Sequence, residues 1–243
     1  MPTNINLIVG LPRAGSSLIS NILSQNPNLS TEINSPLCGL INLLHHEWRT
    51  ENIDGKKRAI KGLLDGYLSA NNDNTYFDAN ISWLPVLPQL EAVLERQVKI
   101  IVCVRNPAEI ITSFERTRKD NPLNVSDFDY ATKSLSTIST RAYSYAGPEG
   151  VLGKTYQQIK DSITSGYLDR MLFIDYGLYC NSPKSQTKRI YDFFELEKFD
   201  HDFNKIPNNA RKQLDKTVVN CVQYIGLDLY EQYNREIFWN AWV

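Results

Sequence analysis

The chain has 243 residues, of which 26 are basic and 27 acidic, so its formal net charge is −1. This length suits one α/β domain, which buries enough surface to need neither a disulfide nor a metal for its core. The charge balance excludes a global basic surface for nucleic acid. No apolar run approaches the roughly 20 residues of a membrane span. We therefore predict one domain over residues 1–243 with no nucleic-acid partner and no membrane span.

The N-terminal sequence and the cysteines indicate the cellular compartment of the protein. The first ten residues have no basic stretch and only a short apolar run, so they do not read as a signal peptide. The four cysteines are widely spaced and form no C-x-x-C pair. Such cysteines are typical of reduced core thiols in a cytosolic protein. We predict a cytoplasmic location.

Short apolar runs alternate with amphipathic stretches, a pattern typical of a parallel sheet with crossover helices. The first run, at 5–10, predicts a strand, and four apolar residues on one face predict a helix over 15–25. We expect a three-layer α/β fold of the P-loop type, with a mostly parallel central sheet flanked by helices. The further predicted elements are helices from Ser35 to about Trp48 and over 56–69, a strand at 75–78, a helix over 86–96, a strand at 98–104, a helix from Asn106 to about Arg118, helices over 127–146 and 151–165, a strand at 170–176, a helix from Ser182 to about Phe194, and an amphipathic aromatic segment over 226–242.

The segment GLPRAGSS, at 10–17, joins the first predicted strand to the first predicted helix. Its two glycines have the spacing of G-x-x-x-x-G-K-[ST], but Ser16 stands where that phosphate-binding motif has lysine. A strand that turns tightly into a helix aims several N–H groups and the positive helix end at one point, which suits a tetrahedral anion. Arg13 adds a cation inside the loop, and Ser16 and Ser17 add hydroxyl donors. The segment therefore predicts an anion-binding loop.

A Mg²⁺-dependent NTPase needs a loop lysine and an apolar strand that ends in a magnesium-binding acid. The clearest buried strand, VKIIVCV at 98–104, is followed by Arg105 instead. Only the weaker strand at 75–78 ends in an acid, Asp78. These features argue against an NTPase and against a metal site. A P-loop nucleotide kinase or NTPase remains an alternative.

A second anion-binding feature follows the buried strand at 98–104. Arg105 comes directly after it, and Ser113 lies eight residues further on, in the next predicted helix. At the carboxyl end of a parallel sheet, both side chains face the same crevice as the first loop. Arginine grips a phosphate through two donors, and the serine hydroxyl adds another.

The loop and the Arg–Ser pair together resemble the sulfotransferase family, closest to its bacterial and phage branch. In that family a strand–loop–helix close to GLPRAGSS binds the 5′-phosphosulfate of 3′-phosphoadenosine 5′-phosphosulfate (PAPS), and an Arg with a Ser eight residues later binds the 3′-phosphate. A third similar stretch is FIDYGLYCNSPKSQTKRIYDFFEL, so that the resemblance spans about 7–196. In the resemblance, Tyr176 would pack against the adenine, and Arg211 and Lys212 are candidates for a further 3′-phosphate contact. The PAPS-binding residues that the resemblance implies are Pro12, Arg13, Ala14, Gly15, Ser16, Ser17, Arg105, Ser113 and Tyr176.

The same resemblance implies metal-independent transfer of a sulfuryl group to a hydroxyl acceptor, which would be a carbohydrate, a small alcohol or a tyrosine. Arg13 would stabilise the transferred group, and the acceptor hydroxyl needs a base. Glu32, in the predicted loop LSTEINSP, is the first candidate, because protein-tyrosine sulfotransferases place a glutamate in a similar region.

His45, with the adjacent His46, and Asp78 are the other candidate bases. Histidine has a pKa suited to such a role, and Asp78 closes a predicted strand. A non-catalytic relative that binds the nucleotide is a further alternative function. The segment 226–242 is expected to dock on the core or to form a homodimer contact.

Overall fold

The computed structural model describes residues 4–47, 52–69, 75–120 and 137–204. Within these ranges five strands form one parallel sheet in the order β2-β3-β1-β4-β5. The strands are β1 (Ile5–Gly10), β2 (Leu29–Ile33), β3 (Thr75–Ala79), β4 (Ile100–Val104) and β5 (Met171–Asp175). The helices are α1 (Ser16–Leu23), α2 (Leu37–Glu47), α3 (Ile53–Leu68), α4 (Leu87–Leu94), α5 (Pro107–Asp120), α6 (Ile138–Ala146), α7 (Val151–Ser162), α8 (Tyr176–Asn181) and α9 (Pro183–Phe194).

β1 and β4 lie at the centre of the sheet, and every residue of both strands is buried. Continuous apolar strands of this kind are typical of a sheet that helices cover on both faces. The described helices flank the sheet, and the core includes large buried rings such as Trp83 and Phe77. The predicted α/β fold with a parallel central sheet is therefore confirmed.

Gly10 allows β1 and β4 to approach closely at their carboxyl ends. Its φ of 128° lies in a region that side chains rarely adopt, and a Cβ there would lie 2.1 Å from the carbonyl oxygen of Cys103. Leu11 N–H then donates to the same carbonyl at 2.9 Å. This glycine is therefore required by strand packing, and it sets the direction in which the following loop leaves the sheet.

The expectation that Glu32 lies in a loop is wrong, because residues 29–33 form strand β2. β2 pairs along its whole length with β3, and Glu32 is in register with Asp78. The sequence of β2, LSTEI, is partly polar, and its residues are partly exposed, which is typical of a strand at the edge of a sheet. A strand of this composition depends on its neighbour for its conformation, so the local pattern did not reveal it.

Several helix boundaries differ from those predicted. The helix predicted over 86–96 begins as a 3₁₀ helix at Ile81–Val86 and continues as α4. The helix predicted over 151–165 ends at Ser162, followed by a wider turn in which Gly166 has a φ of 85°. The short helix α8 was not predicted; the Asp175 carboxylate caps it by accepting from Leu178 N–H at 2.8 Å.

Some predicted features fall outside the described residues: Trp48, residues 127–136 of the helix predicted over 127–146, and the segment 226–242 with its possible homodimer contact. The single-domain assignment of 1–243 likewise stays a prediction. Within the described ranges, no helix combines the length and the apolar character needed to cross a bilayer.

Candidate active site

A cavity of about 420 Å³ lies beside the residues that follow β1, β4 and β5. The loop and helix after β1 form one wall, α5 forms a second, and the start of α8 forms a third. This is the carboxyl edge of the sheet, where ligands of open α/β folds bind. The cavity is lined by Arg13, Gly15, Ser16, Ser17, Leu18, Arg105, Glu109, Thr112, Ser113, Arg116, Thr117, Asp120 and Tyr176.

The N-terminus of α1 offers backbone donors to this cavity. Gly15 is the N-cap residue, and no side chain caps the first turn of the helix. The first N–H groups of a helix have no acceptor within the helix and carry its positive partial charge. Ser16 and Ser17 lie in this turn and line the cavity. This end of α1 is therefore suited to an anion, as the sequence predicts.

Gly15 also makes room for the aromatic ring of Tyr176. A Cβ at position 15 would lie 2.7 Å from Tyr176 Cδ2, and Gly15 has a φ of 100°. Any larger residue would strain the backbone and displace the ring. Pro12 and Ala14 are both buried, so their side chains shape the loop rather than face a ligand.

Arg105 is held by contacts in three directions. Its Nε donates to Glu109 Oε2 at 2.9 Å, and its Nη1 donates to the carbonyl oxygen of Arg13 at 3.0 Å. Its guanidinium carbon lies 4.1 Å from the centre of the Tyr176 ring, a cation–π contact. A guanidinium has five N–H donors, and these two hydrogen bonds engage two of them. The side chain is thus oriented while it keeps donors for a ligand.

Arg13 lies against α5. Its Nε donates to Ser113 Oγ at 3.1 Å and its Nη2 to Thr117 Oγ1 at 3.4 Å. Its backbone has a φ of 60°, and its side chain is exposed to solvent. The resemblance assigns Arg13 and Ser113 to opposite ends of the donor, whereas here they contact each other directly. The loop and α5 therefore form one continuous surface along the cavity, and both contribute hydrogen-bond donors to it.

Glu32 lies in a separate hydrogen-bonded cluster. Its Oε1 accepts from the Tyr67 hydroxyl at 2.5 Å, and its Oε2 accepts from the Tyr76 hydroxyl at 2.8 Å. The hydrogen bond to Glu32 raises the pKa of Tyr67 to about 12, with burial as a smaller cause. The carboxylate is half-buried and does not line the cavity. Its role as the base stays a prediction.

Asp78 is fully buried beneath α2. Its Oδ2 accepts from the Ser35 hydroxyl and, at 2.8 Å, from Trp83 Nε1, while Oδ1 accepts from Ser35 N–H at 3.4 Å. Burial raises the pKa of this carboxyl, although its hydrogen bonds oppose the shift. A buried carboxylate with several donors anchors the chain around it. These contacts favour a structural role for Asp78 over that of a base.

His45 and His46 lie near the end of α2, with their rings 5.0 Å apart edge to face. The carbonyl oxygen of His45 accepts from Lys56 Nζ at 3.2 Å. Neither histidine lines the cavity, so the structure does not bring them to the predicted donor site. Arg211 and Lys212 lie outside the described residues.

Sequence reasoning missed a group of cavity-lining residues on α5. They share one face of the helix with Ser113, because residues three and four apart in a helix are neighbours. Extending that spacing from Ser113 in both directions would have indicated most of them. These residues are Glu109, Thr112, Arg116, Thr117 and Asp120.

Several solved structures are similar in fold to this chain. The structure is similar to the sulfotransferase domain of the Synechococcus PCC 7002 olefin synthase (19% identity, TM-score 0.51, covering 93% of this chain and 96% of that one). It is also similar to the sulfotransferase domain from the curacin biosynthetic pathway (14% identity, TM-score 0.59, covering 96% and 97%). A third similar structure is a sulfotransferase from Alicyclobacillus acidocaldarius (12% identity, TM-score 0.61, covering 96% and 94%).

A search among curated protein sequences found no match. At sequence identities of 12–19%, structural similarity shows a shared fold and does not assign a family. The family assignment rests instead on a match to a family model. The family model described as "Sulfotransferase domain" matches residues 5–224, which is most of the chain. This span includes the loop after β1, the residues after β4 and the start of α8. The chain belongs to the sulfotransferase family.

Proposed function

We propose that this protein transfers a sulfuryl group from PAPS to a hydroxyl acceptor. The observation that carries the proposal is that one cavity is lined by the N-terminus of α1, three arginines and an aromatic ring. Arg13 and Arg105 supply positive charge, Ser113 supplies a hydroxyl, and Tyr176 supplies a flat apolar surface. Family membership supports sulfotransferase activity, and this set of donors supports the choice of PAPS.

The residues fit the chemistry of this donor. PAPS carries an anionic phosphosulfate, a second phosphate on the ribose and a planar base. The α1 N-terminus with Arg13 suits the phosphosulfate, Arg105 with Ser113 suits the ribose phosphate, and Tyr176 suits the base. A volume of about 420 Å³ falls within the range of small-molecule sites.

PAPS supplies the sulfuryl group and a bisphosphate leaving group. During transfer the acceptor oxygen bonds to sulfur, the bond from sulfur to the phosphate oxygen breaks, and that oxygen keeps the electron pair. Arg13 and the first N–H groups of α1 stabilise this developing negative charge. Positioning and electrostatics dominate such reactions, as in phosphoryl transfer. We propose no metal for this step, because these donors balance the charge.

The acceptor proton must pass to a base, for which we retain Glu32. The two tyrosines that bind its carboxylate fix its orientation. In this proposal the acceptor hydroxyl enters the cluster of Glu32, Tyr67 and Tyr76 to reach the carboxylate. Carbohydrates, small alcohols and tyrosine all remain acceptor candidates.

The proposal is tested by measuring transfer from radiolabelled PAPS to a panel of hydroxyl acceptors, with EDTA present. We expect the wild type to transfer label without a divalent metal. Arg13→Ala should lower the rate by roughly 10²–10³-fold, the usual effect of losing one donor to a developing oxyanion. Arg58→Ala, which removes an equal charge from the exposed face of α3, is the matched control and should retain activity.

Two results would favour the alternative functions. Binding of the product nucleotide without transfer to any acceptor would indicate a non-catalytic relative of the family. Hydrolysis of ATP or GTP that requires Mg²⁺ would indicate a P-loop NTPase or kinase.

A further inference from the structure

Two carboxylates line the cavity that the proposed function fills with an anionic nucleotide. Glu109 lies in the first turn of α5, and Asp120 is its last residue. Simple electrostatics predicts that each carboxylate repels the ligand, so that removing either one strengthens binding. Glu109 and Asp120 differ, however, in the side chains that they contact.

Glu109 directly contacts the proposed phosphate-binding arginine. Its Oε2 accepts from Arg105 Nε at 2.9 Å, and the exposed fractions of the Arg105 and Glu109 side chains are 15% and 35%. Among the described residues, no ion pair joins Asp120 to Arg105 or Arg13. Asp120 is exposed to solvent. Of the two carboxylates, Glu109 is therefore the one that orients Arg105.

The orientation of Arg105 affects the whole donor surface. With Nε held by Glu109, the guanidinium lies over the Tyr176 ring, and Nη1 reaches the carbonyl oxygen of Arg13. That carbonyl belongs to a residue with a φ of 60°, a conformation that an ordinary side chain disfavours. Arg105 thus links α5, α8 and the anion-binding loop, and the loop gains support at its strained residue.

Arginine loses considerable side-chain freedom when it is fixed, and a partner that fixes it beforehand reduces that cost on binding. An ion pair four residues apart contributes little to stability when it is exposed. Its effect is larger where it sets the direction of a functional donor. The ion pair between Glu109 and Arg105 sets the direction of a functional donor in this way, because Arg105 lines the cavity.

We propose that Glu109 is a positioning residue of the donor site, although it carries the same sign of charge as the donor. Its carboxylate holds the Arg105 guanidinium flat on Tyr176 and against the Arg13 carbonyl, in the orientation that receives the nucleotide. This inference rests on the proposed function. It predicts that the two carboxylates of the cavity have opposite effects on nucleotide affinity.

Calorimetric titration with adenosine 3′,5′-bisphosphate tests this prediction. Glu109→Gln should raise the Kd by about tenfold, as expected for the loss of a charge-assisted hydrogen bond that orients a ligand-binding group. Asp120→Asn, which removes the same charge from the same cavity, should lower the Kd, because it removes a charge that repels the nucleotide. Glu109→Asp keeps the carboxylate and should bind the nucleotide more tightly than Glu109→Gln.

Thermal unfolding of the free proteins separates positioning from a general structural role. We expect Glu109→Gln to bind more weakly at a nearly unchanged Tm, and its KM for PAPS to rise more than its kcat falls. A lower Tm with an unchanged Kd would overturn the inference, as would tighter binding by both Glu109→Gln and Asp120→Asn. No binding by the wild type would overturn the proposed function itself and this inference with it.

Discussion

Arg13 is the cation of this loop, and its position in the motif differs from that of the lysine in the phosphate-binding loops of NTPases. It donates to Ser113 and Thr117 on α5, while its carbonyl accepts from Arg105. One residue thus joins the loop to the helix opposite. The loop and the Arg105–Ser113 pair, which the sequence analysis recognised separately, are thus in direct contact through this residue.

Glu32 provides a prediction at the residue scale. Glu32→Gln keeps the shape of the side chain and an acceptor for one tyrosine, but it removes the carboxylate that would take the acceptor proton. We expect sulfuryl transfer to fall by roughly 10²–10⁴-fold, the usual contribution of a general base. Binding of adenosine 3′,5′-bisphosphate should be unchanged, because Glu32 does not line the donor cavity.

A parallel rate measurement on His45→Gln serves as the control for Glu32→Gln and should give wild-type activity. Full activity in Glu32→Gln would exclude Glu32 as the base. Loss of nucleotide binding in the same variant would instead show that the cluster of Glu32, Tyr67 and Tyr76 supports the fold of the donor site.

The sequence predicted which residues line the cavity better than it predicted the surroundings of the candidate bases. GLPRAGSS is a contiguous motif, and the Arg105–Ser113 spacing lies within one strand–helix unit, so local reading found both. The partners of Glu32 are Tyr67 and Tyr76, which are 35 and 44 residues away along the chain. The pairing of β2 with β3 brings Tyr76 near Glu32, whereas Tyr67 reaches Glu32 from α3. No local sequence pattern encodes either contact.

The junction of β1 and α1 is the element on which the anion site depends. Gly15 has a φ of 100°, and the Tyr176 ring occupies the space that a Cβ would need. Gly15→Ala should destabilise the fold by about 1–3 kcal/mol, the usual cost of a strained backbone conformation. It should also weaken nucleotide binding, because the ring of Tyr176 must move.

Denaturant unfolding and calorimetry together measure these two effects of Gly15→Ala. Gly66→Ala is the matched control, since Gly66 lies inside α3 and a Cβ there would have nothing within 4 Å. Alanine in a helix interior should stabilise the protein by about 0.5–1 kcal/mol. A Gly15→Ala protein as stable as the wild type and equal to it in affinity would contradict the described geometry of the loop.

At the scale of the whole molecule, the strand order brings the site together. β1 lies between β3 and β4, so the loop after β1 adjoins the residues that follow β4. Arg105 thereby reaches the carbonyl of Arg13, which is 92 residues earlier in the chain. Alternating apolar runs predicted the layers and the parallel sheet. The order of the strands follows from non-local pairing, and the sequence pattern did not contain it.

The central claim is that this molecule binds a PAPS-type nucleotide without a metal. The three similar structures share 12–19% identity with the chain and establish its fold, so the identity of the donor rests on the cavity. Arg105 is the side chain that links the three walls of this cavity. It is therefore the residue whose removal tests the claim.

The decisive measurement is a calorimetric titration of the wild type and of Arg105→Ala with adenosine 3′,5′-bisphosphate in the presence of EDTA. The account predicts that the wild type binds the nucleotide without Mg²⁺ and that Arg105→Ala binds it at least about tenfold more weakly, as expected when charge-assisted hydrogen bonds are lost. Absence of binding by the wild type, or equal affinity in the two proteins, would contradict it.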